Sequence, residues 1–390
     1  MKIAIVSGDD VAGEDPEQLG VALADLGHDV TVYLRRAARR SVQVGADGHY
    51  RCRSLGVGPR RPASPLDVLP YVGDWAARLE RSWTTQPPDA VHAYGWLGGL
   101  AAQLAARRRH IPTVQTFLGL VLTSRAQPGP EQHGERERIE PLLARSANWV
   151  TGESNADVDM LARLRRSRAQ VSALTGGVDA ERLVPATRPA APDRPRRIVC
   201  VAPNPLWHNG IDIAIRALPK VHGAGLVIAE TEVANSVFDE ARSRLQHIAS
   251  ELGVADRVRF AGTVAEGELP ELIRSADALV CTPRQPPRPG TVLQAMASGV
   301  AVVAAAVGVL PDVVLDDVTG VVVPPESPAG LASALRNLLA QDFQCESLGA
   351  CGRSRAQSRF AWQRIALDAL NIYQSVVAHA REPEKPAVAR

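Results

Sequence analysis

The sequence predicts an α/β protein built from two doubly wound parallel sheets. Three observations predict it. Short apolar runs alternate with helical patterns through the first half of the chain. A proline-rich stretch, VPATRPAAPDRPRR at 184–197, interrupts them. The same alternation then restarts at Ile198 and runs to a long amphipathic segment beginning at Trp362. Alternating strand and helix patterns favour parallel sheets covered on both faces, and 390 residues suffice for two ordinary domains.

The elements follow in order. Residues 2–7 and 29–34 are apolar runs that flank a helical pattern at 16–26, with Asp15 as its N-cap and Pro16 in its first turn. Further strands are expected at 90–93, 113–117 and 149–152. Helices are expected at 66–83, 97–109, 135–145 and 155–164. Pro112 and Pro141 fall where a strand start and a first helical turn tolerate them. After the linker come strands at 198–202, 226–229, 257–260, 279–281, 300–304 and 321–323, with helices at 210–220 and 238–252 among them. The domains are therefore expected at 1–183 and 198–361, joined by the linker 184–197. A helix at 362–380 and a loose tail at 381–390 end the chain.

Composition excludes several classes. Hydrophobic residues make up 45% and charged residues 22%, an ordinary globular balance, and the net charge of +2 supplies no field selective for nucleic acid. Lys2, Lys220 and Lys385 are the only lysines; the arginine clusters at 35–40 and 107–109 read as solvated faces, the first of them a surface loop able to touch an anionic membrane. Cys52, Cys200, Cys281, Cys345 and Cys351 include no CxxC pair, so neither a disulfide framework nor a zinc site is expected. Cys200 and Cys281 read as small core residues. The opening MKIAIVSGDD is a strand and a turn, too short in apolar residues for a signal peptide or a membrane span. A cytoplasmic protein is expected, with peripheral membrane association as a further option.

The stretch from Cys281 to Pro325 carries the strongest motif: CTPRQPPRPGTVLQAMASGVAVVAAAVGVLPDVVLDDVTGVVVPP. It resembles the family 4 glycosyltransferases, retaining enzymes of the GT-B fold, whose pattern is roughly CTPxxEPFGxxxLEAMAxGxPVVAxxVGGxxDxVxDGxTGxxVPP. PDAVHAYGWLGGLAAQLAARR at 88–108, VQTFLGL at 114–120, LTGGVD at 174–179, VRFAGTVAEGELPELIRSADALVCTP at 258–283 and GRSRAQSRFAWQRIALDALNIY at 352–373 are similar to further family segments. The resemblance covers essentially the full chain. It implies two Rossmann-like domains facing across a cleft, with the last helix crossing back to the first domain. It also implies transfer of a sugar from a nucleotide sugar, UDP- or GDP-linked, to a hydroxyl of a small or lipid-linked acceptor. Neither metal nor other cofactor is implied.

Such a transferase must hold a diphosphate and stabilise more charge as it leaves, a task for backbone N–H groups, helix N-termini and cations. The family's devices are altered here. The Gly-Gly turn after the first strand reads Gly13-Glu14-Asp15. The Arg and Lys that clamp the diphosphate fall in Ala202-Pro203-Asn204-Pro205-Leu206-Trp207-His208-Asn209-Gly210, where His208 is the only group able to carry charge. The Gly-rich end of the next strand reads Ala229-Glu230-Thr231-Glu232. The two family glutamates fall on Pro286, which has no polar group, and Gln294, which keeps a hydrogen-bonding amide for a ribose. The donor-binding candidates are accordingly Arg284, Arg288, Gly290, Thr291, Gln294, His208 and Asn209. Gly290 and Thr291 would open a helix, and Arg284 and Arg288 flank it. On the acceptor side the family's His-Ala-His reads His92-Ala93-Tyr94, leaving His92 and Tyr94 as catalytic candidates, with Trp96 lining a sugar cleft or packing on a helix; the histidine of TFH reads Leu118.

Three functions stay open on these residues. One is an active transferase. The second is a catalytically inactive relative that partners or regulates an active paralogous transferase. The third is a module whose carboxylates Glu14, Asp15, Glu230 and Glu232 face a cationic or neutral sugar.

Overall fold

The computed structural model describes residues 1–8, 10–11, 13–35, 42–44, 48–60, 62, 64–123, 133–185, 195–265 and 267–381. The chain forms two compact units, Met1–Thr175 with Trp362–Arg390, and Gly176–Ala361.

The first unit contains β1 (Lys2–Ser7), α1 (Asp15–Asp25), β2 (Asp29–Leu34), β3 (Val42–Val44) and β4 (Tyr50–Ser54). It continues with α2 (Val72–Thr85), β5 (Ala90–Tyr94), α3 (Trp96–Arg109), β6 (Thr113–Phe117), α4 (His133–Ser146), β7 (Trp149–Gly152), α5 (Asn155–Arg165) and β8 (Val171–Ala173). Its sheet runs β3-β4-β2-β1-β5-β6-β7-β8, parallel except for the β3/β4 pair. Strand periodicity sorts the core. Ala4 and Val6 of β1 pack with Trp75, Leu79 and Leu97 on one face. Ile3 and Ile5 pack on the other with Leu19 and Leu23 of α1 and with Trp362, Ile365 and Tyr373 of the last helix.

The second unit contains β9 (Arg196–Ala202), α6 (Ile211–Ala217), β10 (Ala224–Glu230), α7 (Ser236–Glu251), β11 (Val258–Thr263), α8 (Leu269–Arg274), β12 (Ala278–Cys281) and α9 (Gly290–Ala297). It ends with β13 (Ala301–Ala305), α10 (Leu310–Val313), β14 (Val321–Val323), α11 (Pro328–Leu339) and α12 (Asp342–Arg359). Its sheet, β11-β10-β9-β12-β13-β14, is parallel throughout. Both faces are covered, so β12 and β13 are buried nearly end to end. The long α13 (Trp362–Arg381) returns to the first unit.

Several expectations are corrected. The helix expected at 66–83 begins at Val72, after two 3₁₀ turns at Pro65–Asp67 and Leu69–Tyr71. Pro70 lies within the second of these turns and has no N–H to give to a helical ladder. The helix expected to 220 stops at Ala217, and Leu218–Lys220 tightens to 3₁₀ around Pro219. Pro141 lies inside α4, not in its first turn, and removes one hydrogen bond from the helical ladder. Glu14, not Asp15, occupies the N-cap of α1, without a side-chain cap bond. Val178, Ala180 and Leu183 pack in the core of the second unit, so that segment belongs by packing to the second unit and not to the first. Arg35 is no solvated residue: it is buried and donates to the Pro59 carbonyl oxygen at 2.9 Å. Most of the linker (186–194), residues 36–40 and the tail 382–390 lie outside the described residues.

Candidate active site

In a parallel α/β sheet, ligands bind beyond the carboxyl ends of the strands. In the second unit that edge is formed by the turns after β9, β10, β12 and β13. The turn after β9 is closed on itself. Asn209 Nδ2 donates to the carbonyl oxygen of Asn204 at 2.9 Å and to its Oδ1 at 2.8 Å. Asn204, 7% exposed, donates from Nδ2 to Glu232 Oε2 at 2.9 Å. The Glu232 N–H donates to the Pro203 carbonyl at 2.8 Å. The segments that hold cations and glycines in the resembled family thus form an amide–carboxylate lattice that consumes its own polar groups. His208 is half-buried beside it. Burial lowers its pKa, against a smaller upward pull from Glu232, so it is neutral at neutral pH and supplies no clamp charge.

Gly210 ends this turn at φ +66°, and a Cβ there would stand 1.8 Å from the Thr282 carbonyl oxygen. The turn after β9 and the turn after β12 therefore meet backbone to backbone. Thr282 Oγ1 adds a 3.1 Å bond to the Gly210 carbonyl.

Arg284 is committed to structure. Its guanidinium grips Asp212 bidentately, at 2.7 and 2.9 Å, donates to the Trp207 carbonyl at 2.9 Å and lies 4.8 Å from the Trp207 ring centroid. The hydrogen bond to Asp212 raises the Arg284 pKa. Its guanidinium is thus engaged by Asp212 and by the Trp207 carbonyl. Glu230 is likewise not a free carboxylate. It is 1% exposed and held bidentately by Arg242 at 2.9 and 2.7 Å, which removes it from the set of sugar-facing acids.

The turn after β12 leads into α9. Pro286 packs against Gly308, whose Cβ, if present, would lie 2.7 Å from Pro286 Cβ. Gly290 opens the helix behind Pro289, and no side chain caps it. Gly290 and Thr291 are half-buried residues, and the N–H groups of a helix's first turn have no partner within the helix. Arg288 is half-buried just before them. One turn on, Gln294 Oε1 is buried and accepts no hydrogen bond. A buried acceptor without a donor is uncommon. The structure thus brings Arg288, Gly290, Thr291 and Gln294 onto one helix start, and separates from them Arg284, His208 and Asn209.

In the first unit the acceptor-side candidates are core residues. His92 is fully buried; its Nδ1 meets Tyr373 Oη at 2.6 Å and its Nε2 meets Thr116 Oγ1 at 2.6 Å. Thr116 passes the chain on to Thr151 Oγ1 at 2.6 Å. Burial pushes the imidazole down to about 3, so it is no base at neutral pH. It fastens α13 to the sheet. Tyr94 and Trp96 are each 4% exposed and buried in the core. These positions correct the expectation of catalytic His92 and Tyr94.

A residue not anticipated from the sequence sits near them. Asp10, in the turn after β1, accepts from the Leu97 N–H at 3.1 Å and so occupies the start of α3. Its Oδ1 is buried without a hydrogen bond. Burial pushes its carboxyl up to about 6, against the Leu97 hydrogen bond and the attraction of Arg136. A carboxyl raised in the folded state contributes most below its unfolded value, and that contribution is lost as pH rises through about 6. Asp10→Asn is therefore expected to gain stability relative to the parent as pH climbs from about 4 to about 8, by up to roughly 2 kcal/mol. Thermal melts across that range check it; a pH-independent difference would place Asp10 in solvent. The sequence signal was the Gly8-Asp9-Asp10 turn directly after a buried strand.

Among the described residues no three His, Cys, Asp or Glu side chains are grouped to hold a metal ion, and no helix is long and apolar enough to cross a membrane.

Comparison with known proteins agrees with this architecture. The family described as "Glycosyl transferases group 1" matches residues 188–355, and the "Glycosyl transferase 4-like domain" matches residues 13–177. A D-inositol 3-phosphate glycosyltransferase of Xylanimonas cellulosilytica is 31% identical over 376 residues, covering 91% of this chain and 89% of that protein. Among solved structures, a sucrose-phosphate synthase of Thermosynechococcus elongatus superposes with TM-score 0.82 at 24% identity, over 97% of this chain and 100% of that one. The Anabaena protein Alr3699/HepE, solved in complex with UDP-glucose, superposes with TM-score 0.70 at 18% identity, over 97% and 99% of the two chains. These similarities and the two parallel-sheet units establish the GT-B fold class and identify the chain as a member of the family-4-type, group 1 glycosyltransferases.

Proposed function

We propose that this chain transfers a sugar from a nucleoside-diphosphate sugar, UDP- or GDP-linked, to a hydroxyl of a small or lipid-linked acceptor, with retention, through a donor site reduced to the start of α9. The N–H groups of Gly290 and Thr291 and the Arg288 guanidinium face the diphosphate, and Gln294 accepts from a ribose hydroxyl. The observation that carries this reading is the buried Gln294 Oε1, which lacks a donor at the position where the resembled family contacts ribose. The complex of HepE with UDP-glucose supports a nucleotide-sugar donor for this fold.

The chemistry follows from charge. As the sugar–oxygen bond breaks, negative charge grows on the departing diphosphate, and the helix start with Arg288 is what remains to neutralise it. Each missing clamp cation costs roughly 10²–10³ in rate. Slow turnover is therefore expected, measurable as nucleotide release that depends on both donor and acceptor. Gln294→Leu is expected to raise the donor KM about tenfold, the worth of one hydrogen bond to a buried carbonyl, with little change in kcat. An unchanged KM would remove Gln294 from the donor site.

A second reading has its own support. The closed Asn204–Asn209–Glu232 lattice and the Arg284–Asp212 pair leave the usual clamp positions without a cation. That favours a non-catalytic relative that modulates an active paralogue. Absence of turnover together with a changed kcat of an intact family member on addition of this chain would select it.

A further inference from the structure

A polar cavity lies in the first unit, at the edge of the sheet opposite the strands' carboxyl ends. Its volume is about 190 Å³, near six water molecules' share of liquid volume. Its floor is one face of β1, β2 and β4, and its roof is the end of α2. Parallel strands covered on both faces are ordinarily apolar on both. Here the two faces differ. Val30, Val32 and Cys52 are buried on the α1 side, whereas Asp29, Thr31, Arg51 and Arg53 line the cavity.

The charges inside do not cancel. Asp29 is paired with Arg51. Lys2 and Arg53 remain, both exposed, and among the described residues neither side chain has an ion-pair or hydrogen-bond partner. Thr31 and Gln86 add a hydroxyl and an amide to the same wall. Two cations with neutral donors around a concave space form a receptor for a compact dianion.

We propose that this cavity binds a small phosphorylated anion, a soluble phosphomonoester of about monosaccharide size, at a site separate from the donor site. The phosphate takes Arg53 and Lys2, and its remaining oxygens or hydroxyls take Thr31 and Gln86. The proposal does not depend on the donor reading, because the two sites lie in different units and share no residue.

Calorimetric titration of the full chain with glucose 6-phosphate and, separately, inorganic phosphate at low salt tests it. Saturable binding at submillimolar to millimolar ligand is expected, weakened by added salt and about tenfold by Arg53→Ala. Lys2→Ala, on the other wall, is expected to give a similar loss, so a folding defect in one variant does not decide the outcome. Arg288→Ala is expected to leave the binding unchanged. Absence of saturable binding would overturn the proposal. So would binding that survives both Arg53→Ala and Lys2→Ala, or that disappears in Arg288→Ala, which would move the phosphate to α9.

Discussion

Gly210→Ala is expected to destabilise the second unit by more than about 3 kcal/mol, close to the limit of what a single substitution does. Two costs combine. The backbone at φ +66° carries a penalty of roughly 1 kcal/mol for any residue with a Cβ. The larger cost is steric: the new methyl would sit 1.8 Å from the Thr282 carbonyl oxygen, which is backbone and has no rotamer to escape into. The turn after β9 would have to part from the turn after β12, breaking the Thr282–Gly210 bond. Gly223→Ala separates the two costs. Gly223 has φ +69°, and a methyl added there would meet nothing within 4 Å, so it is expected to lose only about 1 kcal/mol. Denaturant unfolding of the two variants beside the parent measures the difference. Equal losses would show that the close approach of the two turns is absent in solution.

Arg284→Ala carries the second large effect. It leaves the Asp212 carboxylate, whose side chain is 15% exposed, without its bidentate partner and with only Arg216 at 3.7 Å. Breaking a fully buried pair costs about 3–5 kcal/mol; partial exposure here lowers the expectation to about 2–3 kcal/mol. The double variant Arg284→Ala with Asp212→Ala is expected to recover part of that loss, because the stranded charge is gone. Nucleotide affinity of the folded protein is expected to hold in Arg284→Ala and to fall in Arg288→Ala. That split distinguishes a structural arginine from a ligand-binding one, although the two are four positions apart in one motif. Loss of nucleotide affinity with full stability in Arg284→Ala would reverse the assignment.

The sequence carried much of the fold for a simple reason. Strands such as β1, β12 and β13 are buried on both faces and show as nearly continuous apolar runs. The strands it hid are short and lie at, or next to, the two edges of the first sheet. In β4 the chain reads Tyr-Arg-Cys-Arg-Ser, and in β8 Val-Ser-Ala, patterns half-exposed and too short for periodicity to mark. The site was less legible. Motif position brings Arg284 and Arg288 forward together, but only geometry shows that Asp212, in the first turn of α6, claims the first. Likewise His92, the middle residue of β5, falls in a motif where the resemblance places a functional histidine. Its partner Tyr373 is 281 residues away, a contact that no local pattern announces. Asp10 was concealed because its pKa shift arises from burial against α3 and not from its neighbours in sequence.

The central claim is that a nucleotide is held at the start of α9 without the usual clamp cations. Calorimetric titration of UDP, GDP and ADP into the parent, Arg288→Ala and His208→Ala tests it most directly. One nucleotide is expected to bind the parent and His208→Ala alike, and about tenfold more weakly to Arg288→Ala. A cooperatively folded parent that binds none of them, or a nucleotide affinity indifferent to Arg288, would contradict it.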